Sequence, residues 1–224
     1  MNEKIDKKID KKKQNFIIKK NAILAVIFKM MEYFLSFFTT PILLSCLGNY
    51  KYGVYTTALS VISWIYYFDF GIGSGLRNKV SEYIVNEKYD IAHKCVNVAY
   101  ALVSVISAIA FIIALLFSCF FDFDSILNAN LVDENLNIIM IVAIFLACIN
   151  FVLSLAISLL YSLQRNGLVS GLGILTKGLM VIGLLLFKYF NMKLMLAVVL
   201  LEGVCQLVKD VIALICVNKN NRNL

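Results

Sequence analysis

Lys29, Glu32, Lys177, Glu202, Gln206 and Lys209 stand inside stretches otherwise made of Leu, Ile, Val, Phe, Ala and Met. A charge in such surroundings costs about 2.5–3.5 kcal/mol even on a lenient insertion scale, so each one calls for a partner or a ligand. Lys29, Lys177, Glu202 and Lys209 lie about eight residues from the nearest end of their apolar stretch, roughly 12 Å deep at the helical rise of about 1.5 Å per residue. Basic side chains at that depth suit an anionic substrate. The plain alternative is mutual neutralisation, because Lys29 precedes Glu32 by about one helical turn and Lys209 adjoins Asp210. Such pairs can simply hold helices together. Lys177 has no acid in its own stretch, so its partner is expected on another helix, at Glu202 or Glu32, or in the substrate itself.

A second constellation is Phe68-Asp69-Phe70-Gly71-Ile72-Gly73-Ser74-Gly75-Leu76-Arg77-Asn78-Lys79. It ends an apolar run, turns on Gly71, Gly73 and Gly75, and opens a charged segment. A dinucleotide fingerprint would need glycine where Leu76 stands and a strand where a helix is read. Asp69 and Arg77 are expected to order this loop or to gate a mouth beside it. Other chemistry finds no footing. His93 has no Cys or His neighbour that would complete a zinc site or a triad. Cys46, Cys95, Cys119, Cys148, Cys205 and Cys216 form no C-x-x-C pair and read as small packing residues. No H-x-x-E-H, H-x-x-x-x-D or paired acidic helix motif is present, so no catalytic, cofactor or metal residue is assigned and an enzyme is not expected.

The elements that must position these residues follow from composition. Of 224 residues, 61% are hydrophobic and 16% charged, against roughly 45–50% apolar and 25% charged in soluble domains. With a mean hydropathy of +0.83, the chain reads as an integral membrane protein, all-α, a bundle of six transmembrane helices. The spans fall at about 21–44, 52–70, 95–120, 136–163, 168–187 and 194–217. At about 20 residues per crossing they use up the chain and leave no room for a soluble domain. A basic tail, residues 1–20, precedes them and a short tail, 218–224, follows. The first tail is too polar to bury a core and is expected to be mobile. It does not read as a signal peptide, because the apolar run after it is too long and lacks a small-residue cleavage pattern.

The net charge of +7 is explained by topology and anionic lipid headgroups, and no nucleic-acid partner is expected. Basic residues gather on one side: the eight N-terminal lysines, Arg77, Lys79, Lys88, Lys94, Arg165, Lys219 and Arg222. Lys51, Lys188 and Lys193 lie on the other, whose longest loop carries Asp122, Asp124, Asp133 and Glu134. Both termini are therefore expected in the cytoplasm. Pro41 near the far end of the first span should bend it. Polar residues recur at steps of three, four and seven, as in Lys29, Glu32, Ser36 and Thr40, or Asn150, Ser154, Ser158 and Tyr161. Each set occupies one helix face, and the faces together could line one wetted cavity. Gly167 and Gly171 have the spacing that permits close helix approach.

Several stretches resemble one family. Leu47-Gly48-Asn49-Tyr50-Lys51-Tyr52-Gly53-Val54-Tyr55 after Pro41 is similar to the first outer loop of O-antigen and polysaccharide flippases, members of the multidrug, oligosaccharidyl-lipid and polysaccharide exporter superfamily. The glycine-rich stretch from Phe68 to Lys79 is similar to their loop after the second span, and Leu160-Tyr161-Ser162-Leu163-Gln164-Arg165 to the end of their fourth. The resemblance implies a transporter that flips polyprenyl-diphosphate-linked oligosaccharide across the bacterial cytoplasmic membrane in O-antigen or surface polysaccharide biosynthesis. Its partners would be the anionic lipid-linked glycan and membrane lipids. Lys29, Lys177 and Lys209 would attract the diphosphate, and Glu32 and Glu202 could carry protons. Family members have two bundles, and this sequence resembles the N-terminal one. A truncated or half-sized form is therefore expected, with a second six-helix bundle supplied by a copy of itself or by another chain. A drug or cation antiporter on the same scaffold and a non-transporting assembly partner are the alternatives.

Overall fold

The computed structural model describes residues 2–127, 131, 134–192 and 194–221, with side chains from residue 21 to 219 within those limits. Asp133, Lys193 and Arg222, used above for orientation, lie outside the described residues, as do the side chains of the N-terminal lysines. The elements are α1 (Asn2–Tyr67), α2 (Ile72–Val85), α3 (Tyr89–Phe120), α4 (Phe123–Ile126), α5 (Leu136–Leu153), α6 (Leu155–Ser162), α7 (Asn166–Tyr189) and α8 (Met195–Asn221). No strand occurs among the described residues.

Gly48 divides α1 into a first arm, residues 2–47, and a second arm, residues 49–67. Its φ of 75° and ψ of 168° lie in a region open essentially to glycine alone. The first arm runs alongside α7: Asn21 is beside Gly167, Phe28 beside Gly171, and the Cys46 thiol donates to the Leu184 carbonyl at 3.5 Å. The second arm runs alongside α5, from the Lys51–Glu134 ion pair at 2.6 Å to the Tyr66–Phe151 ring contact at 6.0 Å. Because α7 leads toward the start of α8 while α5 leads away from Glu134, the chain reverses at Gly48. The break expected between 44 and 52 is thus made at one residue, and Pro41 stays within the helical first arm.

The apolar segment Leu136–Ser162 is interrupted at Ser154, whose hydroxyl donates to the Phe151 carbonyl at 2.7 Å. Helix α2 follows the Gly71 turn (φ 79°) and packs on α3 and α6. Two apolar cores result. One, nearer Glu134, contains Tyr55, Leu136, Met140, Leu184 and Val198. The other, nearer Asp69, contains Leu76, Val103, Leu155, Leu160 and Ala213.

Among the described residues, four helical segments are long and apolar enough to cross a membrane: Asn21–Tyr67, Tyr89–Phe120, Leu136–Ser162 and Asn166–Tyr189. The first contains both arms. Helix α8 is long enough but carries Glu202, Lys209 and Asp210 along its middle. The outer flanks are apolar, with Val26, Phe34, Phe37, Ile112, Ile182 and the sole tryptophan, Trp64, exposed. Surface of that kind belongs in lipid. The chain is a multi-pass helical membrane bundle.

Candidate functional site

The ionic side chains expected to share one chamber fall into two groups at different seams of the bundle. In the first, Lys29 Nζ and Glu32 Oε2 are 2.9 Å apart on one face of the first arm. The helix itself sets this pairing, since residues three apart are surface neighbours. Lys29 also lies 5.5 Å from the centre of the Tyr33 ring. Gly173 of α7 leaves the space that Glu32 fills, for a β-carbon there would meet the Glu32 Cδ at 2.8 Å. The Arg77 guanidinium of α2 sits 4.9 Å from the ring centre of Tyr161 of α6. The Tyr161 ring face thus contributes to holding the positive charge of Arg77, as the Tyr33 ring does for Lys29.

The glycine loop shapes the same end. Asp69 Oδ1 accepts from the Gly73 amide at 3.0 Å, satisfying an otherwise unpaired donor at the start of α2. Gly71 supplies the left-handed turn. Gly73 is buried, and a β-carbon would meet Ser158 Oγ at 3.1 Å, so α2 docks closely on α6. Gly75 is exposed with open space around it. Asp69 and Arg77 have separate partners, the Gly73 amide and the Tyr161 ring.

The second group lies on α8. Glu202 accepts from the Tyr55 hydroxyl of the second arm. Lys209 Nζ donates to Gln206 Oε1 at 2.6 Å and stands 3.7 Å from Asp210 Oδ1. Glu202 and Gln206 line a cavity of about 300 Å³ between the second arm, α5 and α8, together with Ser63, Tyr66 and Asn150. Lys177 is half-buried on α7 and forms no ion pair among the described residues. The two acids expected to answer it are engaged by Lys29 and Tyr55.

Many hydroxyls of the polar stripes serve their own helix. Thr56, Ser60 and Ser63 donate to the carbonyls of Gly53, Thr56 and Ser60, the local bonding by which such residues are satisfied in apolar surroundings. Ser107 instead crosses from α3 to the Cys148 carbonyl of α5 at 2.9 Å.

A family model described as polysaccharide biosynthesis protein matches residues 18–223. The chain belongs to that family. The chain is also 36% identical over 53 residues to a protein of Yersinia pseudotuberculosis named as a putative O-antigen export protein. That stretch is 24% of this chain and 12% of the relative, so the alignment takes in a small part of the relative's length. No solved structure matches the chain significantly.

Several residues of the site carry little signal in the sequence. Tyr55 shares a helix face with Leu59, Ile62 and Tyr66, a row of mostly apolar side chains that hides its hydroxyl, which donates to Glu202 of α8, while Tyr66 lines the cavity beside Glu202. Glu134 served above only as a loop charge. It lies at the start of α5, where burial acts to raise its carboxyl. Lys51 and the Met195 and Leu196 amides outweigh that and hold it below the ordinary glutamate value.

Proposed function

We propose that this chain is the first bundle of a flippase that carries polyprenyl-diphosphate-linked oligosaccharide across the bacterial cytoplasmic membrane for O-antigen or surface polysaccharide assembly. The observation that carries the reading is family membership over nearly the whole chain, combined with basic side chains set into apolar helices. In this reading the two arms of α1, α3, α5 with α6, α7 and α8 are six crossings, both termini are cytoplasmic, and the Asp69 end faces the cytoplasm. Lys29, beside Tyr33, and Arg77, beside Tyr161, receive the diphosphate, whose oxygens form strong charge-assisted hydrogen bonds. Lys177, with no ion pair of its own among the described residues, is the deeper cation on the path. Asp69 and the glycines 71, 73 and 75 shape the mouth. A second bundle, from a copy of this chain or another chain, completes the passage.

The test is complementation of a flippase-deficient strain by the chain together with its second bundle. Lys177→Gln and the double substitution Lys29→Gln with Arg77→Gln should each abolish surface glycan at unchanged membrane abundance. Unchanged glycan in both would overturn the assignment.

A further inference from the structure

Where α2, α3, α6 and α8 meet at the Asp69 end, they enclose a cavity of about 330 Å³ that none of the residues assigned above to the diphosphate lines. Five polar side chains turn onto it: Tyr89, His93, Asn97 and Tyr100 of α3, and Asn218 of α8. The four on α3 follow at steps of four, four and three, so one helix face brings them together. None of the five forms a side-chain hydrogen bond among the described residues. Asn97 and Tyr100 stand roughly 12–17 Å along α3 from its first residue, at about 1.5 Å per residue. In so apolar a segment, polar groups left without partners are costly, and these open donors and acceptors call for a ligand.

The lining limits what that ligand is. No Asp, Glu, Lys or Arg is among the lining residues, so neither an anion nor a cation finds its counter-charge there. Hydroxyls, amides and an imidazole both donate and accept, which suits a compound that does the same at several adjacent positions. The rings of Tyr89, His93 and Tyr100, together with Val80, Ile84 and Leu214, add apolar surface. Water has no use for such faces, whereas a sugar ring presents hydroxyls at its edge and C–H groups on its faces. The volume is at the lower end of the about 300–1,000 Å³ found in small-molecule sites, which fits a ligand of that size and not a long chain.

We propose that this cavity binds one neutral sugar ring, with Asn97 and Asn218 holding its hydroxyls from the α3 and α8 walls and a tyrosine ring against its face. Arg77 precedes Val80 on α2 by three residues, roughly 5 Å along the helix axis. A cation thus stands one turn from the cavity for any phosphate the sugar carries. The ring comes from a free sugar or from a phosphate-linked glycan. Only the second source rests on the flippase reading, because binding of the ring needs no transport.

Saturation-transfer NMR on the full chain in nanodiscs, with empty nanodiscs as the blank and glucose, galactose and N-acetylglucosamine as probes, provides the test. At least one sugar should receive saturation, and its Kd should rise about fivefold or more in Asn97→Ala and in Asn218→Ala, the loss expected for one hydrogen bond. Ser63→Ala, in the other cavity, should bind as the wild type does. Tighter binding of the 1-phosphate of that sugar, with the gain lost in Arg77→Gln, assigns the ring to a phosphate-linked glycan, and equal Kd values assign it to a free sugar. Transfer to none of the three sugars, or an unchanged Kd in both asparagine variants, overturns the site. The two asparagines lie on different helices, so if one variant does not fold the other decides. A chain that binds sugar but fails complementation counts against the flippase reading and leaves the site standing.

Discussion

At the scale of single residues, Glu134 is the side chain whose loss should be most evident. Its side chain is 5% exposed, it pairs with Lys51 at 2.6 Å, and it accepts from the Leu196 amide at 2.9 Å. One carboxylate thus joins the second arm, α5 and the start of α8. Removing one member of a buried pair typically costs about 3–5 kcal/mol. The partial exposure of Lys51 reduces that here, and Glu134→Gln should lower stability by about 2 kcal/mol, read as an earlier thermal transition in detergent. The same carboxyl sets a pH dependence. Its folded value lies below 4.5, so the unfolded chain binds more protons across that interval. The stabilisation is therefore present above pH 4.5 and is lost as pH falls through the lower folded value. Glu134→Gln should flatten the acid side of the stability profile, and an unchanged slope would count against this role.

At the scale of elements, the reversal within α1 depends on one backbone conformation. Gly48→Ala should cost about 1–3 kcal/mol, because a β-carbon makes the observed angles strained although no neighbour crowds the position. The measurement is again the thermal transition, with Gly53→Ala, equally uncrowded but helical, as the comparison that should change little. Gly173→Val tests the seam between the first arm and α7. It would push Glu32 away from Lys29, so surface glycan in the complementation assay should fall by more than in Gly178→Val, whose surroundings are open.

Much of this layout was legible beforehand, for reasons that differ between elements. Hydrophobic length located α3, α5, α6 and α7, because a bilayer of fixed thickness forces long apolar runs. Helix α8 (Met195–Asn221) overlaps the apolar stretch at 194–217. The turn at Gly48 was blurred into a loop, since sequence shows a glycine but not which angles it adopts. The Lys29–Glu32 pairing followed from spacing along one helix. The Tyr55–Glu202 contact did not, for its two members come from distant parts of the chain and meet through packing alone.

At the scale of the whole molecule, charge is sparse and unevenly spread, with one basic group against the Tyr161 ring and another along α8. On the proposed flippase reading, a passage for a bulky anionic lipid requires facing surfaces, of which this bundle would supply one. Co-expression with a second bundle should therefore restore glycan export where this chain alone does not. Export by this chain as a monomer would refute the need for a partner.

Trp64 projects from the second arm and is exposed, and no other tryptophan occurs in the sequence. Its emission colour thus reports on a single site. Brominated acyl chains should quench it strongly if this flank rests in oil, and aqueous iodide should do so if a watery cleft reaches it, which makes one indole a depth gauge for the arm that carries it.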